Sequence, residues 1–309
     1  MTTSAAPTPA VSVIIPAYHS WKALPLCLTA LQRQQGDVTF EVIVVISAAD
    51  GQEVTLQQRF PTVQILAYAE RKFPGQARNL GAQQARGDIL LFLDADCLLA
   101  ADGVERCLQS HRRFSQPLIG GALLPDPAQN HIGWAQYFSS LTAWMPSRDT
   151  EPVPAADVAT GCCSIKRAAF LNFGMFADIR YGEDTLLSWR ITSAGYTPLF
   201  DPGLCASHYG VSSFAQLLTR KFWHGRNYAS MRAQQQHWST ANRLLRITAS
   251  PIIPLLLLYR CGRNVWHSGH FRLRFLLTIP ATLFVQTAWT LGEDYGLFNP
   301  LVFPDFGAE

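Results

Sequence analysis

Apolar, β-branched segments alternate with helical segments along the first part of the chain, and this alternation constrains the fold more than any other feature. Strands are predicted at residues 11–18, 40–47, 63–68 and 88–96, and helices at 20–34, 54–60 and 75–87. The second run, FEVIVVIS, is almost entirely apolar, which is typical of a strand covered on both faces. Strands that alternate with helices form right-handed βαβ units. The pattern therefore predicts an α/β fold with a mostly parallel sheet.

Two carboxylates follow the fourth predicted strand, at Asp94 and Asp96 in the sequence LFLDADCLLA. Ligands of parallel sheets bind beyond the carboxyl ends of the strands. On an extended backbone, residues two apart point to the same side, so both carboxylates are predicted to face one crevice. Two hard oxygen ligands suit Mg²⁺ or Mn²⁺ that also binds substrate phosphates. The alternative is a pair of acids at a strand end that only faces water.

Two further groups of charged residues are candidates for the same crevice. Arg78, in the predicted helix 75–87, can bind a diphosphate, and the alternative is a solvated helix charge. Glu183 and Asp184 follow a glycine and open a predicted helix at 183–195, where acids suit the positive end of the helix dipole. An acid there can take a proton from an attacking hydroxyl, and the alternative is a pair that only caps the helix.

The last third of the chain is basic and partly apolar. From Pro202 to Gly292 there is no Asp or Glu, whereas the same span carries ten Lys or Arg residues. Two apolar segments, 247–259 and 275–291, are flanked by arginines and aromatic residues, as at membrane interfaces. The first is too short to span a bilayer easily, and the second is borderline against the roughly 20 residues needed. Association with an anionic membrane surface is therefore expected, and the alternative is a buried helical subdomain.

Other features limit the compartment and the partners. The N-terminal sequence MTTSAAPTPA has no basic and no apolar region, so residues 1–10 are expected to be a disordered lead and not a signal peptide. The seven cysteines include no CxxC pair, which favours reduced thiols over disulfides or a zinc site. No nucleic-acid-binding module is visible despite the basic C-terminal third, so nucleic acid is not an expected partner.

Four blocks of the sequence together resemble the family 2 inverting glycosyltransferases with the GT-A fold. They are VSVIIPAY, the Arg-Asn block that runs into LFLDAD, GCCSIKRAAFLNFGMF and GEDTLLSWRITSAGY, and the resemblance covers residues 11 to about 230. It implies a catalytic domain at residues 11–218, built on a Rossmann-like, mixed and mostly parallel sheet flanked by helices. A basic, apolar helical region, residues 219–309, would follow and associate with the membrane.

The resemblance also implies a role for each candidate residue. Asp184 would be the general base, and Glu183 would help to position the acceptor. Asp96 would ligate Mn²⁺ or Mg²⁺, and His208 would be another ligand near the metal or the diphosphate. The donor-binding residues would be Pro16, Ala17 and Tyr18, in a loop that ends the first strand and lines the nucleotide base, Arg78 near the diphosphate and Asp94 at the sugar or ribose.

One position departs from the family pattern. Members usually carry an acidic pair after the second strand, and its first aspartate grips the nucleotide base, whereas Ile46 and Ser47 stand there in this chain. Asp50, a few residues further on, is the candidate substitute. The expected donor is a nucleotide sugar, with a UDP-sugar as first choice, and the expected acceptor is a glycan or a lipid-linked molecule. Transfer with inversion is expected at the cytoplasmic face of the plasma (inner) membrane.

Two other functions stay open. A nucleotidyltransferase can share a similar sheet and metal-binding acids, but it should carry a glycine- and lysine-rich loop near its N-terminus, which VIIPAYHSWKA lacks. A catalytically inactive, membrane-associated scaffold of the same fold is the third hypothesis, and donor hydrolysis would distinguish it from an enzyme.

Overall fold

The computed structural model describes residues 8–146, 150–210 and 213–303, so most of the predicted disordered lead lies outside the described residues. The strands are β1 (Val11–Tyr18), β2 (Phe40–Ser47), β3 (Gln64–Tyr68), β4 (Ile89–Leu93), β5 (Cys97–Leu99), β6 (Leu118–Pro125), β7 (Val153–Pro154), β8 (Cys162–Lys166) and β9 (Leu199–His208). Within the described residues these nine strands form one sheet in the order β3-β2-β1-β4-β8-β6-β9-β5, and β7 pairs with β9.

Eleven α-helices accompany the sheet in the described part of the chain. They are α1 (Leu24–Gln32), α2 (Gln52–Arg59), α3 (Pro74–Gln84), α4 (Gly103–Arg113), α5 (His131–Ser140), α6 (Arg167–Asn172), α7 (Glu183–Ser193), α8 (Phe214–Gln235), α9 (Thr240–Ala249), α10 (Ile253–Ser268) and α11 (Arg272–Phe298). Helices precede or follow nearly every strand, as the alternating sequence pattern predicts.

The sheet is mixed, which confirms the predicted α/β class. β1 pairs in parallel with β2 and β4, and β2 pairs in parallel with β3. β8 runs antiparallel to β4 and β6, and β5 runs antiparallel to β9. The parallel strands are those whose apolar, β-branched runs are continuous in the sequence, and the carboxyl ends of β1, β2 and β4 lie at one edge of the sheet.

The chain divides into two compact units. The first comprises residues 1–124 and 149–209 and holds almost the whole sheet, and the second comprises residues 125–148 and 210–309 and holds α5 and α8–α11. The domain limits expected from the sequence, 1–10, 11–218 and 219–309, stay a prediction. By length and composition, two helical segments of the described chain could cross a membrane, Thr240–Ser268 and Arg272–Phe298.

An aromatic cluster below the carboxyl end of β4 fixes the elements that carry the candidate site. The ring of Phe92, on β4, lies 5.2 Å from that of Phe170 and 5.0 Å from that of Phe176. Leu187 of α7 and Ala77 of α3 are buried in the same core. Because interiors are packed as densely as organic crystals, this core holds α3, α7 and the end of β4 in one fixed arrangement.

Candidate active site

Asp94, Ala95 and Asp96 form a turn, the DAD turn, and do not belong to a strand. β4 ends at Leu93, and the N–H of Cys97 donates to the carbonyl oxygen of Asp94 at 2.9 Å. The predicted strand at 88–96 was therefore too long, because the chain turns here to enter β5, which pairs with β9. Strand alternation does not set the directions of the two carboxylates, so that part of the sequence argument was wrong.

The buried side chain of Arg78 connects this turn to the start of α7. Its Nη2 lies 2.6 Å from Oδ1 of Asp94, and its Nη1 lies 2.9 Å from Oε1 of Glu183. The Arg78 side chain is only 3% exposed. Burial alone would lower the pKa of Arg78, but the two carboxylates outweigh burial and raise it. The guanidinium therefore stays charged and forms an Asp94–Arg78–Glu183 bridge.

Helical spacing places Arg78 on the inner face of α3. Ala77, Gly81 and Ala82 are buried on the same helix. The burial of the Arg78 side chain contradicts the alternative of a solvated helix charge. The spacing of the small residues beside it was the signal that could have revealed an inward-facing arginine.

Asn79, the next residue, holds the loop that leads towards α7. Its Nδ2 donates to the carbonyl oxygen of Phe176 at 2.8 Å, and its Oδ1 accepts from the N–H of Phe176 at 3.0 Å. A side-chain amide that pairs with both backbone groups of one residue fixes that residue as a strand neighbour would. The Arg-Asn pair thus serves two structural purposes, one electrostatic and one conformational.

The start of α7 presents two acids with different partners. Glu183 is buried and paired with Arg78, whereas Asp184 is partly exposed and its Oδ1 accepts from the N–H of Thr185 at 2.8 Å. Burial raises the pKa of both carboxyl groups, and Arg78 opposes the rise at each. The negative charge of Asp94 also raises the pKa of Asp184, so Asp184 interacts electrostatically with the DAD turn.

A left-handed glycine sets the direction from which these acids enter the site. Gly182, immediately before α7, has φ +88°, and Gly195, after the other end of the helix, has φ +87°. Both Gly182→Ala and Gly195→Ala should lower the free energy of unfolding by roughly 1–2 kcal/mol, because an L-residue is strained in this conformation. Only Gly182→Ala should also lower donor turnover. Equal turnover in the two variants, measured beside chemical denaturation, would show that the backbone at Gly182 does not orient the acids.

Asp96 and His208 come together at the far side of the turn. Nε2 of His208 lies 3.6 Å from Oδ2 of Asp96, and Cys97 and His208 are directly paired residues in the β5–β9 ladder. No group of three or more His, Cys, Asp or Glu side chains able to hold a metal is present among the described residues. Mn²⁺ or Mg²⁺ commonly takes one or two protein ligands and completes its shell with substrate phosphates and water. This pair fits an ion bound in that way.

Pro16, Ala17 and Tyr18 are the last residues of β1 and not a loop as predicted. β1 continues past Pro16 because its pairing with β2 extends to Tyr18, whereas its pairing with β4 stops at Ile14. Past Ile14 one side of β1 is therefore open, and a proline without an N–H is tolerated at such a place. The ring of Tyr18 is 43% exposed at the end of the strand.

Arg71 is a residue near the site that the sequence reasoning missed. Its guanidinium carbon lies 4.5 Å from the centroid of the Tyr18 ring and 5.9 Å from that of Phe73. A guanidinium over an aromatic face is a cation–π contact, and both groups can stack on a planar ligand. Only its position in the basic stretch AERKF could have indicated it, because nothing in the local periodicity singles it out.

Ser47, one of the two residues that stand where the acidic pair was expected, is the last residue of β2. Ser47 is buried, and its Oγ accepts from the N–H of Lys72 at 2.6 Å, so it serves the fold. Oδ2 of Asp50 accepts from Nε1–H of Trp21 at 3.2 Å and from Nε2 of Gln52 at 3.1 Å. In the described residues these contacts do not bring Asp50 to any other candidate residue, although it lies beyond the carboxyl end of β2.

Comparisons with known proteins bear on the family and the fold of the chain. The sequence profile described as glycosyl transferase family 2 matches residues 12–173, just over half of the 309-residue chain. Glycosyltransferase AglE of Haloferax volcanii is 28% identical over 221 residues, which are 69% of this chain and 71% of that protein. Part of the length of each protein thus lies outside the match.

Two solved structures share the fold at 17% identity, a level that speaks for the fold alone. The mannosyltransferase PcManGT from Pyrobaculum calidifontis, in complex with GDP-Man and Mn²⁺, has a TM-score of 0.60 and is matched over 95% of this chain and 88% of its own. GalNAc-T7 with UDP, GalNAc and Mn²⁺ has a TM-score of 0.55 and is matched over 74% of this chain and 51% of its own. The predicted GT-A fold is confirmed, and the chain belongs to glycosyl transferase family 2.

Proposed function

We propose that this glycosyltransferase moves a sugar from a nucleoside-diphosphate sugar to an acceptor with inversion, assisted by a divalent metal and a single general base. The observation that carries the proposal is the Asp94–Arg78–Glu183 bridge, which joins the DAD turn to Glu183 at the start of α7, where Asp184 is the next residue. The proposed donor site at Asp94 and the proposed base, Asp184, would therefore be held near each other by one buried side chain.

The donor would lie across the carboxyl ends of β1, β2 and β4. Pro16, Ala17 and Tyr18 would line the nucleotide base, and Arg71 would add a second stacking surface beside Tyr18. Asp50 would contact the base from the loop after β2, and a UDP-sugar remains the first choice of donor. The names of the two structural relatives, which include UDP and GDP-Man, support a nucleotide-sugar donor without selecting the base.

Asp94 would contact the sugar or the ribose with the oxygen that Arg78 leaves open. Arg78 itself has both terminal nitrogens engaged by carboxylates. We therefore propose that it serves the donor indirectly, by fixing Asp94, and that it fixes Glu183 at the same time. The donor-binding role predicted for Arg78 is kept in this indirect form.

Asp96 and His208 would hold the Mn²⁺ or Mg²⁺ ion. When bound, the ion would neutralise negative charge that develops on the departing diphosphate. The presence of Mn²⁺ in both related structures supports this choice of metal.

Asp96→Ala should weaken binding of UDP in the presence of Mn²⁺ by tenfold or more, because a carboxylate ligand is worth more than the roughly 1.4 kcal/mol that a factor of ten represents. Isothermal titration with UDP, with and without Mn²⁺, measures the effect. The matched control is Asp88→Ala, an exposed aspartate just before β4, whose other end leads into the turn with Asp96. Equal UDP affinity of Asp96→Ala and Asp88→Ala would contradict the metal assignment.

Asp184 would act on the acceptor. Its carboxylate would take the proton of an attacking hydroxyl, the oxygen would bond to the anomeric carbon, and the bond from that carbon to the diphosphate would break on the opposite face. Because the charge of Glu183 is committed to Arg78, Asp184 is the acid left to accept a proton. Glu183 would instead position the acceptor.

The acceptor would be a glycan or a lipid-linked molecule presented at a membrane. We propose that the second unit holds the enzyme at the cytoplasmic face of the plasma (inner) membrane, where nucleotide sugars are available. The two apolar helical segments of the described chain and the absence of acids from Pro202 to Gly292 support this proposal. Nucleic acid is not among the proposed partners.

A panel of nucleotide sugars tests the function directly. Metal-dependent hydrolysis of one donor, together with thermal stabilisation by the same donor, would support the glycosyltransferase. Stabilisation without hydrolysis or transfer to any acceptor would favour the scaffold. Release of pyrophosphate from a nucleoside triphosphate and a sugar phosphate would favour the nucleotidyltransferase and contradict the proposal.

A further inference from the structure

α11 buries several polar residues and exposes large apolar ones, unlike a typical helix of a soluble protein. Its buried residues include the polar Thr278, Thr282, Gln286 and Thr290 beside the apolar Phe275, Val285 and Leu297. Its exposed residues are mainly large and apolar: Leu273, Leu276, Leu277, Phe284, Leu291 and Phe298. Helices of soluble proteins bury the apolar stripe and expose the polar one. The exposed face of α11 is therefore suited to an apolar surrounding along the whole length of the helix.

The two preceding helices continue this surface. α9 has no buried residue, and its Leu244 and Leu245 are exposed. On α10, Leu255, Leu256 and Tyr259 are exposed. Exposed apolar patches of this extent mark sites of protein or membrane contact.

The exposed Lys, Arg, Asp and Glu residues of α10 and α11 are all arginines, whereas the two acids of α11, Glu293 and Asp294, are half-buried. Arg260, Arg263, Arg272 and Arg274 are exposed on α10 and α11. None of the ion pairs found in the described residues involves a residue of the second unit. Several of its arginines lie instead over aromatic rings, among them Arg272 over Trp266 at 5.8 Å. Arginine beside tryptophan at the edge of an apolar surface matches the headgroup region of an anionic bilayer.

The inner face of α11 argues against a helix that crosses the bilayer. A Cβ atom at Gly292 or Gly296 would overlap the backbone of Phe222 or Arg226, so α11 lies directly against α8. α8 carries Arg220, Lys221, Arg226 and Arg232. A crossing α11 would draw part of α8 into the hydrocarbon, where each charged residue is strongly unfavourable. A one-sided apolar stripe with cations beside it is typical of a helix that lies in the membrane plane.

We propose that the exposed faces of α9, α10 and α11 form a docking surface that lies in the plane of an anionic lipid bilayer and does not span it. The inference rests on the membrane association included in the proposed function, and it specifies the partner and the mode of contact. The leucine and phenylalanine side chains would enter the boundary of the acyl chains. The arginines would remain among the phosphate headgroups.

Vesicle flotation with the full chain tests the surface. Binding is expected to vesicles of phosphatidylcholine and phosphatidylglycerol in equal parts, and less binding to phosphatidylcholine alone. Leu276→Glu and Phe284→Glu should each reduce the apparent affinity by about tenfold or more, the factor that ~1.4 kcal/mol represents. The matched control is Leu26→Glu on α1, because Leu26 is 52% exposed and Leu276 is 49% exposed. Equal binding of all these variants, or no binding of the parent protein, would overturn the proposal.

Cysteine labelling separates docking from spanning. All seven native cysteines are free, and all but Cys205 are buried. His270→Cys places a thiol at an exposed position before the first residue of α11, and Asn299→Cys places one after its last residue. In inside-out membrane vesicles from bacteria that produce the protein, a membrane-impermeant maleimide should label both. Labelling of only one before detergent is added would establish a spanning helix and contradict the in-plane surface.

Donor hydrolysis in solution separates failure of this proposal from failure of the proposed function. Leu276→Glu should hydrolyse the donor at the parent rate in the absence of lipid, because the substitution lies outside the catalytic unit. Parent protein that binds vesicles but hydrolyses no donor would contradict the enzymatic assignment alone. Thermal unfolding of each variant shows whether it is folded, and Phe284→Glu serves as the second variant if Leu276→Glu is not.

Discussion

Asp184→Asn is expected to lower the rate of sugar transfer by roughly 10²- to 10⁴-fold, the usual contribution of a general base. An amide keeps the size of the side chain and its hydrogen bond with the N–H of Thr185, but it cannot accept the proton of the acceptor. Binding of the nucleotide should change little, because Asp96, His208 and Asp94 are unaltered. Transfer rates measured with saturating donor, beside the affinity for UDP and Mn²⁺, test both parts of the expectation.

Asp178→Asn is the matched control, since Asp178 is an exposed aspartate of the same unit. It should transfer sugar at the parent rate. A second readout is the pH dependence of the parent enzyme. Burial raises the pKa of Asp184, so the carboxyl keeps a proton at pH values where an ordinary aspartate is ionised. Transfer should fall as the pH drops through this raised pKa. An Asp184→Asn variant with the parent rate and the parent pH profile would exclude Asp184 as the base.

Arg78→Met should lower the free energy of unfolding by roughly 3–5 kcal/mol, the effect of removing one partner from a buried ion pair. The substitution fills most of the space but leaves Glu183 buried without its cation. The raised pKa of Glu183 also makes the expected loss of stability depend on pH. Arg78 opposes the rise that burial causes, so its removal should raise the folded-state pKa of Glu183 further, and the loss of stability should grow as the pH rises from the parent's folded-state pKa to that of the variant. Chemical denaturation at several pH values measures it.

Arg86→Met is the control for Arg78→Met. Arg86 pairs with Glu41 at 2.9 Å, but its side chain is 62% exposed, so its removal should cost less than about 1 kcal/mol. The double variant Arg78→Met/Glu183→Gln should recover part of the lost stability, because it removes the stranded charge. If Arg78→Met lowers the free energy of unfolding no more than Arg86→Met does, the bridge does not stabilise the fold. That result would also contradict the positioning role proposed for Arg78.

The sequence predicted the elements of the sheet well where hydrophobic patterning decides the structure. The limits of β2 were predicted to the residue, because it is a continuous apolar run that becomes a strand paired on both sides, whereas β1 runs past Pro16, where a loop was predicted. The end of β4 was not, because the stop depends on the turn into β5, and β5 pairs with β9 far along the chain. A short strand formed by such a long-range pairing leaves no local pattern for a sequence reading to detect.

The candidate site was predicted by residue type more than by geometry. The sequence named Arg78, Asp94 and Glu183, but it offered no reason to expect them within hydrogen-bonding distance of one another. Arg78 and Glu183 are 105 residues apart, and only the packing of α3 and α7 on the aromatic core brings them together. Arg71 was missed because it lies in the loop between β3 and α3, whereas its partner, Tyr18, lies at the end of β1, far away in the sequence.

The β5–β9 ladder has a consequence for how this chain can vary in length. The register of the two strands pairs His208 with Cys97. Cys97 is the residue that follows Asp96, so this register also places His208 beside Asp96. Side chains alternate between the faces of a strand, so one residue added or removed within Leu199–His208 would turn the imidazole to the other face of the sheet. Active homologues of this enzyme should therefore carry insertions and deletions elsewhere in the chain and keep this ten-residue strand at constant length.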